Sequence, residues 1–291
     1  MCKEKYVSPF TDFGFKRLFG SEHSKEFLVS FLNSLLDRKD PIADIRYETQ
    51  ERLGMSEGMR NAIFDIYCTT DRGDSVIVEM QNMLQKFFVD RSIFYSTFPI
   101  QDAAVKGQWD FKLPDVYTVS FLNFTLDQFR ESKDWRHTIR LCDVKTGKTF
   151  SGKLTYIYLE LPKYQKEIEE LATPLDEWIY LIKNINDFET PPHKFADGIF
   201  NRFIRIAELS AMSKSERRAY EESLKELRDY TNTITTAEER GEAKGLAKGL
   251  AKGRAEGEKA GRLEIARKLL DSGMSAAQVA EITGIEHIER E

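Results

Sequence analysis

The chain has 291 residues, 41% of them hydrophobic and 12% aromatic, which is enough for a sizeable core plus an appendage and argues against general disorder. A net charge of -5 argues against a protein that coats nucleic acid by overall charge, though not against one that grips phosphates through a local basic patch. Three scattered cysteines (Cys2, Cys68, Cys142), no apolar leader after Met1 and no run near the roughly 18 apolar residues of a membrane span lead us to expect a cytoplasmic protein without disulfides, cysteine-held zinc or a membrane partner.

Residues 8–20 (SPFTDFGFKRLFG) read as a short helix, with Ser8 or Thr11 as N-cap, Pro9 in a first turn and Gly20 as the stop. A second helix over 25–36 carries Phe27, Leu28, Phe31, Leu32, Leu35 and Leu36 at helical spacing, a core-facing stripe. The period then changes. Residues 62–69 form an apolar run rich in β-branched and aromatic side chains, Asp71-Arg72-Gly73-Asp74 is a turn, and 75–81 (SVIVEMQ) is a second strand, so the two form a hairpin. One long helix is predicted over 85–107. Strands come next over 116–126, 138–144 and 154–161, with a turn at Thr146-Gly147-Lys148, and helices return over 174–231. Helices, then mixed strands and helices, then helices again describe an α/β or α+β core with helical cover.

The remainder has another character. Glycines fall at 241, 245, 249, 253, 257 and 261, with Ala243, Ala247, Ala251 and Ala255 in step. On a helix this spacing makes a slowly drifting stripe of small residues, at a cost of roughly 0.8–1.0 kcal/mol per glycine against alanine. The stretch is either a smooth face for a partner helix or a charged linker. Residues 263–270 are helical, Ser272-Gly273 is a break, and Ser275 with Gln278 makes a capping box for a helix to Ile282. The last residues are acidic (Glu286, Glu289, Glu291) and would repel phosphate, so assembly into a homo-oligomer fits this tail better than base reading. The expected domains are 1–235, 236–262 and 263–291.

Two carboxylates stand out. Asp65 lies between Phe64 and Ile66 within an apolar strand, where a charge needs a cation, a basic partner or water. Glu79 and Gln81 occupy i and i+2 of the next strand and share one face, opposite Val76, Val78 and Met80. If the two strands pair, Asp65 and Glu79 approach each other, and two hard oxygen ligands suit Mg²⁺ or Mn²⁺. Plainer roles compete: arginine partners at a sheet edge for the carboxylates, a solvent-facing strand end for Gln81, a helix-surface pair for Asp12 and Lys16, and packing for Arg91 and Tyr95. The four histidines show no ligand spacing.

Asp65, a turn, and Glu79-Met80-Gln81 closing an apolar strand resemble the PD-(D/E)XK nuclease motif in its ExQ form. The opening Asp12-Phe13-Gly14-Phe15-Lys16-Arg17-Leu18-Phe19, the helix bearing Arg91 and Tyr95, and the glycine-repeat tail resemble the Rpn family of recombination-promoting nucleases, also described as transposases. The resemblance implies a restriction-endonuclease-like α/β core, a mixed sheet flanked by helices, with a helical C-terminal extension. It further implies Mg²⁺-dependent (or Mn²⁺-dependent) endonucleolytic hydrolysis of DNA phosphodiesters, with Asp65 and Glu79 holding the metal, helped by the Met80 carbonyl, and Gln81 completing the catalytic set. Gln81 departs from the usual lysine: an amide orients water by hydrogen bonds and cannot supply charge, so either the metal does more of the water activation or Lys16 or Lys86 substitutes. Lys16, Lys86, Arg91 and Tyr95 are the candidate DNA contacts. The alternative is an inactive relative that binds DNA or protein and assembles through its tail.

Overall fold

The computed structural model describes residues 4–52, 62–104 and 110–285. Cys2, the predicted end of the helix at 105–107 and the acidic stretch 286–291 lie outside them. Two compact units are present, Met1–Leu227 and Arg228–Glu291.

The first unit is built on a six-stranded mixed sheet. Its strands are β1 (Ile45–Tyr47), β4 (Ile66–Thr70), β5 (Ser75–Gln81), β6 (Val116–Leu122), β7 (Arg136–Cys142) and β8 (Thr149–Glu160), in the order β1-β4-β5-β6-β8-β7. The β4–β5 hairpin is antiparallel, whereas β5, β6 and β8 run parallel, so their carboxyl ends share one edge. A separate two-stranded ladder joins β2 (Glu51–Arg52) to β3 (Ala62–Ile63). The single strand predicted over 62–69 is thus two, with a bend at Asp65 between them. β1 and β2 escape prediction because they are three and two residues long, too short for any period to register.

Helices cover both faces. On one side α1 (Asp12–Phe19), α2 (Lys25–Leu35), α4 (Pro174–Asn184) and α5 (Gly198–Ala207) bury Phe15, Phe19, Phe31, Trp178 and Phe203 against Val76, Val78, Met80, Val119 and Leu159 of the sheet. On the other side lies α3 (Phe88–Ala103), the crossover between parallel β5 and β6. It is anchored by Ser92 and Ser96, each 2.7 Å from a tyrosine hydroxyl of β8, Tyr158 and Tyr156. This is the mixed sheet flanked by helices that the sequence leads one to expect.

Helix α6 (Lys214–Asp271) is continuous through the glycine repeat, and α7 (Ala276–Thr283) comes after it. Exposed pairs four apart, such as Arg254–Glu258 at 3.0 Å and Lys268–Glu264 at 2.6 Å, support α6 locally. Within the second unit Ala266, Val279 and Thr283 are buried, and Ser275 and Gln278 form the expected capping box. No helix among the described residues is long and apolar enough to cross a membrane.

Candidate active site

Three pieces of chain converge at one edge of the sheet. The first is the start of α1. The Thr11 hydroxyl caps it by accepting from Gly14 N–H at 3.0 Å, which settles the choice between Ser8 and Thr11, and Pro9 lies outside the helix. Gly14 is required here: a Cβ would lie 2.0 Å from the Ser8 carbonyl oxygen and 2.7 Å from Val7. The tight entry sets Asp12 and Lys16 on the site side, where both charges act on Asp65. Lys16 also pairs with Asp12 at 2.7 Å, so the helix-surface pair and a role near the site coexist.

The second piece is the hairpin. Its register sets Ile66 opposite Val78, which carries Asp65 to the level of Glu79. The Asp65 carboxylate accepts the Met80 N–H at 2.8 Å, and the Glu79 carboxylate accepts the Asp65 N–H at 3.3 Å, so the two acids are laced through each other's backbone. At Met80 the contact made is therefore through its N–H. Gln50 donates to the Asp65 carbonyl at 3.0 Å and fixes the bend. Asn82, just beyond β5, donates to Phe10 O at 2.7 Å, tying the end of the strand to the approach to α1. Neither residue belongs to a motif: Asn82 has for a signal its place beside Glu79-Met80-Gln81, and nothing local marks Gln50, which precedes the two-residue β2.

The third piece is α3. Gln81 donates to Glu79 at 3.0 Å and accepts from Arg91 at 2.6 Å, while the other prong of Arg91 reaches Gln85. Gln81 is thus locked by both neighbours and is not a free strand end. Tyr95 packs edge-on against Phe64, ring centroids 5.1 Å apart, beside the two carboxylates. Lys86 is exposed in the loop before α3, its ammonium 5.2 Å over the Phe87 ring.

Burial governs the electrostatics. It pushes the protonation of both Asp65 and Glu79 well above the ordinary carboxylate range, and the charge of Asp65 raises Glu79 further. No basic side chain pairs with either acid among the described residues. Ser120 Oγ, beside Glu79 across the β5–β6 ladder, is buried without a hydrogen-bond partner. Among the described residues no cluster of three or more His, Cys, Asp or Glu side chains gathers. A site of two carboxylates, an amide and a hydroxyl nonetheless fits a hard divalent cation that keeps much of its own water.

No curated protein and no solved structure matches the chain. A model of a family does match, over residues 9–237, and that span holds α1, the hairpin and α3 alike. Taken with the sheet and the paired carboxylates at its edge, the match shows that this chain belongs to the PD-(D/E)XK nuclease family transposases and has the restriction-endonuclease-like fold.

Proposed function

We propose that the chain is a metal-dependent DNA endonuclease that hydrolyses phosphodiester bonds at Asp65 and Glu79. One observation carries the reading: two buried acids are laced together with raised protonation and, among the described residues, no basic side chain paired to either, an arrangement that costs stability and that a cation would relieve. Asp65 and Glu79 would hold Mg²⁺ or Mn²⁺, which when bound supplies a Lewis acid and lowers the pKa of coordinated water. Gln81, held between Glu79 and Arg91, presents its amide to the attacking water. Lys16 and Arg91 bring positive charge to the pair in place of the motif's usual lysine, and attract the phosphate.

The test is supercoiled plasmid incubated with purified protein, with and without Mg²⁺ or Mn²⁺. Nicking that needs the metal and is lost in Asp65→Ala and Glu79→Ala is the expected result. Equal cutting by both variants and wild type would overturn the assignment, and no cutting by any form would favour an inactive DNA-binding relative. For the tail we propose self-association through the glycine face of α6, where a side chain at any of the six glycines would meet open space beyond the helix's own backbone. Light scattering of the full chain and of a truncation after Thr236 reads this directly, with a lower mass expected on truncation.

A further inference from the structure

A groove of about 730 Å³ runs along α3 from the loop before it, lined by Lys86, Phe87, Asp90, Arg91, Phe94 and Tyr95. Its composition is unusual for a surface. Phe87 is 64% exposed and Phe94 40% exposed, and Ile63 on β3 is exposed beside Tyr95. Phe94 lies one turn on from Arg91 along α3, and Phe87 is the N-cap residue just before the helix, so the groove carries one exposed ring on each side of Arg91 in the chain. Arg91 also lies over the rings of Phe88 and Tyr95, at 5.7 and 5.8 Å.

The rings do not end in solvent. Phe94 packs against Tyr95 at 6.3 Å and Tyr95 against Phe64 at 5.1 Å, and Phe64 is the residue before Asp65. Arg91 meanwhile reaches Gln81. The Phe94 ring is therefore joined through Tyr95 and Phe64 to the paired carboxylates, and Phe87 with Lys86 extends the same groove toward the loop before α3.

We infer that this face of α3 is a stacking platform for an unpaired DNA strand, with Phe87 and Phe94 receiving unstacked bases and Lys86 and Arg91 holding the adjoining phosphates. The inference rests on the proposed nuclease function for its choice of DNA. Charge favours a polyanion: among the described residues Lys86 and Arg91 join no acid in an ion pair, Arg91 donating instead to the neutral amides of Gln81 and Gln85, and the groove holds one acid, Asp90. Ring exposure favours a single strand over a duplex, because the base faces of a duplex are already stacked and only a strand with open bases can use Phe87 and Phe94. The substrate class is then single-stranded DNA, or the unpaired stretch of a branched or melted duplex.

The experiment is fluorescence anisotropy of the full chain in EDTA, where nothing is cut. A labelled mixed-sequence oligonucleotide is presented alone or annealed to its complement. Wild type should prefer the single strand. Phe87→Ala and Phe94→Ala should each lose about 5- to 150-fold of that affinity, the range one lost base stack covers, with little change on the duplex. Phe94→Tyr should keep the affinity and Phe94→Leu should lose it, since stacking needs a ring whereas a protein contact accepts any apolar group. Phe94 also packs on Phe98 at 5.2 Å, so thermal melting accompanies each variant, and the more exposed Phe87 carries the test should Phe94→Ala fail to fold. Equal affinity for both DNA forms, or wild-type binding by Phe94→Leu, would overturn the platform and make the face a protein contact. Because binding is read without metal, ring-dependent binding by a protein that never cuts would sink the nuclease reading and leave the platform standing.

Discussion

Two buried glutamates sit on the same face of the same sheet, each near the carboxyl end of a parallel strand, and they live differently. Glu160 on β8 is fully buried and fully answered: it accepts Leu126 N–H at 2.6 Å, pairs with Lys163 at 2.6 Å and meets His137 at 3.3 Å. Glu79 on β5 is 5% exposed and among the described residues has two neutral donors, the Asp65 N–H and the Gln81 amide, with a second acid alongside. One carboxylate is a strut. The other carries a charge that burial and the neighbouring acid disfavour and that a bound proton or a cation would relieve, and that difference separates a structural acid from a candidate catalytic one better than burial does.

Activity should part the two acids most widely. Asp65→Ala or Glu79→Ala should reduce metal-dependent plasmid nicking to the level of the metal-free control, while Glu160→Gln retains whatever activity its folded fraction supports. Stability should then reverse the order. Glu160→Gln leaves Lys163 without its counter-charge, and a loss of about 3 kcal/mol is expected in denaturant melts. Next comes Gln81→Ala, which frees the arm of Arg91 and should slow nicking about tenfold with an unchanged melting temperature. Restoring the motif lysine with Gln81→Lys should not recover that rate, because the new ammonium faces the Arg91 guanidinium; adding Arg91→Gln to it should.

The smallest effect is the most diagnostic. Glu79 in the folded chain titrates above its unfolded range, so the folded state holds more protons and stability falls as pH rises from the ordinary carboxylate range through the raised value. Glu79→Gln should therefore stabilise the metal-free protein near neutral pH by about 1 kcal/mol, and the gain should vanish below about pH 4. Thermal melts across pH check this. A Glu79→Gln chain less stable than wild type at pH 8 would show that Glu79 is a strut like Glu160.

Much of the fold is legible in the residues taken in order. The hairpin, the face shared by Glu79 and Gln81, and the capping box at Ser275 come from local periodicity and turn chemistry, which need no knowledge of the rest of the chain. The bend at Asp65 does not, since it depends on Gln50 and on the β2–β3 ladder, contacts invisible at short range. Glu160 carries the same local signal as Glu79, an acid closing an apolar strand; only its partners reveal which kind of acid it is. The locking of Gln81 by Arg91 is likewise hidden, because a helix and a strand ten positions apart in sequence give no hint of which side chains meet.

The glycine repeat has a consequence in time. Six helical glycines without a neighbour at their Cβ positions give the stretch from Gly241 to Gly261 little beyond backbone hydrogen bonds and a few exposed ion pairs to hold it. Its amides should exchange with deuterium far sooner than those of α3, whose inner face is pinned by two buried serine–tyrosine contacts. The repeat would then open before α3 and close after it, a segment whose lifetime as a helix is set by whatever it touches.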